Sequence, residues 1–105
     1  MTSITPTIGR IVWFYPVAQA ENYMVRLSEQ PMAASVCHVN PDGSVNLLVT
    51  DHDGRSWSIH EVPLVQAGEE PPPDQSYCSW MPYQIGQAKK TEEAGAPSSG
   101  SATAP

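Results

Sequence analysis

The chain has 105 residues, with eleven Asp and Glu against five Lys and Arg and a formal net charge of −6 at pH 7. That length holds one modest domain, and the acidic balance excludes the clustered Lys/Arg footprint with which proteins neutralise nucleic-acid phosphates. No apolar run approaches the roughly 18 residues that cross a bilayer, and the first ten residues, MTSITPTIGR, lack the basic start and apolar stretch of a signal peptide, so a soluble cytoplasmic protein is expected.

Residues 7–15 (TIGRIVWFY) are rich in β-branched and aromatic side chains and lie between Pro6 and Pro16, which predicts a first strand. Ile8, Arg10, Val12 and Phe14 share one face, and Gly9, Ile11, Trp13 and Tyr15 the other. Both faces are largely apolar, which predicts cover on two sides or a place in a subunit interface. In residues 17–30, Ala20, Met24 and Leu27 recur at helical spacing, which predicts a short helix over about residues 19–29 that packs on the sheet; a long irregular loop is the alternative.

The clearest pattern is a three-stranded antiparallel meander between residues 32 and 62. MAASVCHV and VNLLVTD are separated by Asn-Pro-Asp-Gly-Ser at residues 40–44, and VNLLVTD leads through His52, Asp53 and Gly54 into RSWSIHEV. Asp-Gly breaks are hairpin chemistry, because glycine reaches positive φ without steric cost. Val45, Leu47 and Val49 form one apolar face; in the next strand Trp57 and Ile59 are placed with Glu61, and Ser58, His60 and Val62 opposite them.

Residues 66–75 (QAGEEPPPDQ) read as a stiff polar loop. The aromatic cluster at residues 77–83 follows, and Pro82 marks it as a short edge strand. Residues 88–105 contain no aromatic residue and no Val, Ile, Leu or Met, so they predict a disordered tail behind a domain of residues 1–87. Five strands in this order predict a mainly β protein: a small SH3-like barrel or a rolled antiparallel sheet with one short helix.

Catalytic and metal motifs are sparse. The Asp51-His52-Asp53-Gly54 run resembles the opening of a calcium loop, but Val49 stands where a first acid belongs and His60 where the closing Glu would be. A hairpin turn whose Asp caps its own backbone explains the same residues. His38, His52 and His60, with Cys37 and Cys78, form no paired ligand motif, so no metal or other cofactor is expected. The two cysteines read as free thiols of a reducing compartment. No Gly-x-Ser-x-Gly elbow or phosphate-cradling glycine loop is present, which favours a non-enzymatic protein.

The segments PTIGRIV (residues 6–12), SVNLLV (residues 44–49) with Asp53 and Gly54 following, VPLVQ (residues 62–66) and WMPYQ (residues 80–84) resemble small proteins common in tailed phages and prophages. The resemblance covers most of residues 6–87, offers no catalytic residue to carry over, and departs at residues 17–30, where such proteins vary in length. It implies a phage gene product in the cytoplasm of a bacterial host. Trp13, Tyr15, Tyr23, Trp57, Tyr77, Trp80 and Tyr83 are many large rings for so small a core. Together these features lead us to expect an accessory, counter-defence protein that binds a small nucleotide signal or a host protein. Arg10, Arg26, Arg55, Trp57, His60 and Trp80 are the candidate ligand-binding residues. A virion or assembly component is the alternative. The apolar first strand and the 77–83 segment predict a homo-oligomer, with a dimer the simplest case.

Overall fold

The computed structural model describes residues 3–17 and 23–93. Six strands and one helix follow in chain order: β1 (Ile11–Tyr15), β2 (Met32–Val39), β3 (Val45–Thr50), β4 (Ser56–Val62), β5 (Leu64–Val65), β6 (Tyr77–Ser79) and α1 (Pro82–Glu93). They form one sheet in the order β4-β3-β2-β1-β6-β5, antiparallel except for the parallel β5–β6 pair. Only Pro63 separates β4 from β5, yet these strands stand at opposite ends of that order. Chain continuity therefore rolls the sheet back on itself, and the Cys78 N–H donates to the Pro63 carbonyl at 2.9 Å across the closure. The fold is the rolled, mainly β domain expected, with one short helix.

The inside of the roll is the core. Val12 and Phe14 of β1, Met32, Ala34 and Val36 of β2, Val45, Leu47 and Val49 of β3, and Cys78 and Trp80 are buried there. Burying each large side chain contributes about 1.5–3 kcal/mol, and the period-2 alternation of β1 to β3 aims these residues to one side. The other side of β1 is half covered, with Ile11 44% exposed. β1 is also shorter than predicted. Gly9 takes a φ of 95°, and the Arg10 N–H closes a turn on the Thr7 carbonyl at 3.3 Å, so residues 7–10 do not run as regular strand.

Two β-bulges meet at Asn46. On one side Val36 pairs with Leu47 and His38 with Asn46, leaving Cys37 as the extra residue of β2. On the other, Leu47 pairs with Ile59 and Val45 with Val62, so His60 and Glu61 together oppose Asn46. Asn46 Oδ1 accepts the Glu61 N–H at 2.9 Å and the Asn40 Nδ2–H at 3.1 Å. Glu61 adopts a φ of 56°, in the left-handed region. Bulges of this kind bend and twist a strand. This one corrects the simple alternation predicted for β4: Val62 turns into the core, while Glu61 is exposed.

The predicted helix over 19–29 is not formed across its described part. Residues 23–29 are turn and irregular chain, and residues 19–22 lie outside the described residues. The Val25 N–H and C=O and the Leu27 N–H all bond to Asp51 and His52, so they are engaged away from a helical ladder. Met24 is nonetheless buried, whereas Leu27 is 72% exposed.

The helix lies at the other end of the chain. Pro82 does not mark an edge strand: it opens α1, where its missing N–H costs nothing. Gln84 supplies the side-chain half of a capping box, its Oε1 accepting the Met81 N–H at 2.8 Å, while its own N–H donates to the Met81 backbone carbonyl at 2.9 Å in the first turn. β6 lies inside the sheet between β1 and β5. Residues 88–93, predicted as tail, belong to α1; the rest of that predicted tail, residues 94–105, lies outside the described residues.

Candidate functional site

The six predicted binding residues fall at three places. The first surrounds Asp51, at the end of β3. Its side chain is 4% exposed and accepts four hydrogen bonds. Oδ2 takes the Trp57 indole N–H at 2.8 Å and the Val25 N–H at 3.0 Å, and Oδ1 takes the N–H groups of Asp53 and Arg55, both at 3.0 Å. Burial pushes the carboxyl pKa up, but the bonds from Trp57, Val25, Arg55 and Asp53 outweigh it and hold the group well below the usual carboxylate range. The Asp51–Gly54 segment is thus a self-capped turn, as its Asx chemistry suggests.

Trp57 and the two nearby arginines are committed to that framework. The Trp57 ring packs against Tyr23, centroids 4.7 Å apart. Arg55 Nε lies 3.4 Å from Asp53 Oδ2. Arg26 donates to the carbonyls of Pro16 and Ser28, each at 3.3 Å, and its Nη2 lies 3.4 Å from Glu29 Oε1. Arg55 thus pairs within the turn and Arg26 within the loop, and the Trp57 side chain links the two through Asp51 and Tyr23.

His60 stands apart, exposed on the bulged half of β4, with Nε2 3.3 Å from Ser58 Oγ. The surface beside it is acidic: Asp42, Glu61 and Glu69 line an open cleft of about 560 Å³. Asp42 is held as a carboxylate below its usual range, first by the Ser44 hydroxyl and then by the Ser44 N–H. That surface repels anions.

The third place unites Arg10 and Trp80. Arg10 precedes β1 and is anchored by its backbone, its carbonyl accepting the Val36 N–H at 2.8 Å. Its guanidinium carbon lies 6.0 Å from the centroid of the Trp80 ring, at the outer limit of a cation–π contact. Trp80 itself is core, 2% exposed, and its indole N–H has no hydrogen-bond partner among the described residues. Beside Arg10 opens a cleft of about 350 Å³ between α1 and the N-terminal segment, lined also by Ile4, Tyr83, Gln84, Gln87, Ala88 and Thr91.

Each wall is fixed from within. Gln66 clasps the backbone of Ile4, Nε2 donating to its carbonyl at 2.8 Å and Oε1 accepting its N–H at 3.0 Å. Gln84 Nε2 donates to the Ile11 carbonyl at 2.9 Å, which ties α1 to β1. Tyr83, 72% exposed, presents a ring at the rim. Thr91 lies in the segment 88–105 expected as tail, and Gln87 just before it in a stretch with no expected element; the available signal was Met-Pro-x-Gln at residues 81–84, a helix start.

Neither thiol is paired. Cys37 is exposed on its bulge, whereas Cys78 is buried against the Pro63 carbonyl, and burial pushes its pKa up to about 12. Cys78 is therefore a neutral core group at physiological pH rather than a nucleophile. Among the described residues no group of three or more His, Cys, Asp or Glu is placed to hold a metal ion, and no helix is long and apolar enough to cross a membrane. Comparison with protein-family models, with curated proteins and with solved structures returns no match.

Proposed function

We propose that the protein is a non-enzymatic binding module that holds a small anion bearing an aromatic ring, a nucleotide by chemical class, in the cleft between α1 and the N-terminal segment. One observation carries this reading. Of the three arginines, Arg10 alone has no carboxylate within ion-pair distance among the described residues, and it stands at a cleft with an exposed tyrosine on its rim. A guanidinium so placed can fork onto a phosphate, and the Tyr83 ring supplies a stacking surface. At about 350 Å³ the cleft falls within the size range of small-ligand sites. The resemblance to small phage proteins supplies the biological setting: sequestration of an intact nucleotide signal of host defence in the bacterial cytoplasm.

Isothermal titration calorimetry with mononucleotides and cyclic dinucleotides tests the reading. Binding is expected for at least one of these, with the ligand recovered unchanged, and Arg10→Ala should weaken it about tenfold or more. Arg55→Ala, whose guanidinium is paired with Asp53, is the control and should bind normally. No binding by the native protein, or equal binding by Arg10→Ala, removes the proposal.

A second reading, a virion or assembly component, rests on the outer face of the sheet. Ile11 and Leu48, each 44% exposed, lie in one row through Ser35, and the Tyr15 and Tyr77 rings stack there with centroids 4.7 Å apart. Such a face suits self-association into a dimer or packing into a larger assembly. Stoichiometric presence in purified particles supports the assembly role, and absence rejects it.

A further inference from the structure

We propose that Gln87 selects the base of the nucleotide held beside α1, favouring adenine; this rests on the reading of that cleft as a nucleotide site and goes beyond it by giving the base edge a reader. The helix supplies the geometry. Tyr83, Gln87 and Thr91 line the cleft at intervals of four residues, so they stand in one row on successive turns, each about 6 Å along the axis from the last. The Gln87 carboxamide is therefore the neighbour of the exposed Tyr83 ring, and a base stacked on that ring has its edge within reach of Gln87.

The other polar groups of the cleft are engaged or differ in kind. Among the described residues that line it, Arg10 alone carries charge, and its guanidinium is the group suited to phosphate. Both polar atoms of the Gln84 side chain are taken, Oε1 by the Met81 N–H at 2.8 Å and Nε2 by the Ile11 carbonyl at 2.9 Å. The Thr91 hydroxyl donates to the Gln87 backbone carbonyl at 3.1 Å. The Tyr83 hydroxyl lies in the plane of its own ring, whereas a stacked base lies in a parallel plane, so this hydroxyl misses the base edge. Gln87 thus holds the one carboxamide lining the cleft that no described residue engages.

A carboxamide presents a donor and an acceptor side by side. Adenine matches that pair with its N6 amino group and N7, whereas guanine shows two acceptors, O6 and N7, on the same edge. A bidentate contact of this kind discriminates between bases by about tenfold or more. A carboxylate of the same shape presents two acceptors and no donor. Among the common bases only guanine answers with two adjacent donors, its N1–H and its N2 amino group, so exchanging the amide for a carboxylate moves the preference from adenine to guanine.

Isothermal titration calorimetry of the full chain with adenosine and guanosine monophosphates, and with the cyclic dinucleotides of the same bases, tests this. The native protein should favour the adenine ligands, and in Gln87→Glu the affinity ratio should move toward guanine by about tenfold or more. The ratio is decisive, because a general weakening, from the added negative charge or from altered packing of α1, lowers both affinities alike. Arg10→Ala should weaken adenine and guanine ligands by the same factor. Equal native affinities, or an unchanged ratio in Gln87→Glu while Arg10→Ala still weakens binding, overturn the role of Gln87 and leave the cleft standing. Absence of binding by the native protein overturns both. Should Gln87→Glu bind too weakly to measure, Gln87→Ala decides: it must narrow the native difference between the two bases, and a difference kept in full rejects the proposal.

Discussion

The Asp51 carboxylate and the Trp57 indole N–H meet at 2.8 Å, and this bond joins the end of β3 to the neighbouring strand across the hairpin. The same carboxylate receives the backbone of Val25, so one side chain holds turn, strand and loop together. Asp51→Asn replaces one acceptor oxygen by a donor that faces N–H groups. Thermal unfolding should show a midpoint lowered by about 5 °C or more.

That carboxylate also gives stability a pH dependence. Its folded pKa lies below the ordinary 3.8, so the native state favours the ionised form. The contribution is present above the unfolded pKa and is lost as pH falls through that value toward the folded one. Urea unfolding between about pH 2 and about pH 7 should show native and Asp51→Asn stabilities converging at the acid end. Parallel curves would refute the role given to Asp51.

Inside and outside of the roll predict opposite sensitivities. Phe14→Ala empties a fully buried position and should cost about 3–5 kcal/mol. Leu48→Ala, on the outer face, should change monomer stability by less than about 0.5 kcal/mol. A large loss on Leu48→Ala, measured at several protein concentrations, would show that this face is covered by another subunit.

Glu61 holds a left-handed backbone that glycine adopts without strain. Relief of that strain outweighs the added freedom of the unfolded chain, so Glu61→Gly should stabilise by about 0.5 kcal/mol. Asn46→Ala, which strips both bonds from the bulge, should destabilise. Urea midpoints for the two variants should move in opposite directions.

The thiols differ in access. Iodoacetamide should modify Cys37 in the native protein and leave Cys78 untouched until unfolding, because Cys78 is buried and un-ionised. Peptide mass mapping gives the result directly.

Much of the candidate site was legible in part. Arg10 and Trp80 were both singled out, but their approach to 6.0 Å was not, because 70 residues separate them and only the rolled sheet brings them near. Trp57 and Arg55 were chosen for the same chemistry and stand away from that cleft, where Asp51 takes the Trp57 indole N–H and Asp53 pairs with the guanidinium. Gln87 and Thr91 were invisible because no helix was expected over residues 82–93, the first two of which were placed in an edge strand and the last six in the tail. Its exposed face is polar, and its formation rests on the cap at Met81 and Gln84 and on the tie to Ile11.

By itself the sequence determined the meander. Period-2 alternation in β1 to β3 and glycines at positive φ, Gly43 at 93° and Gly54 at 85°, are local requirements that only a few residue types satisfy. Tertiary structure decided what depends on distant partners. The loop at 23–31 gives its backbone donors to Asp51 and His52 instead of to a helix, and the bulges at Asn46 turn Val62 inward. Pro63 lets one run of chain serve both ends of the sheet. Local propensity acts through neighbours in sequence, whereas closure of the roll and the cleft beside Arg10 depend on contacts between segments far apart in the chain.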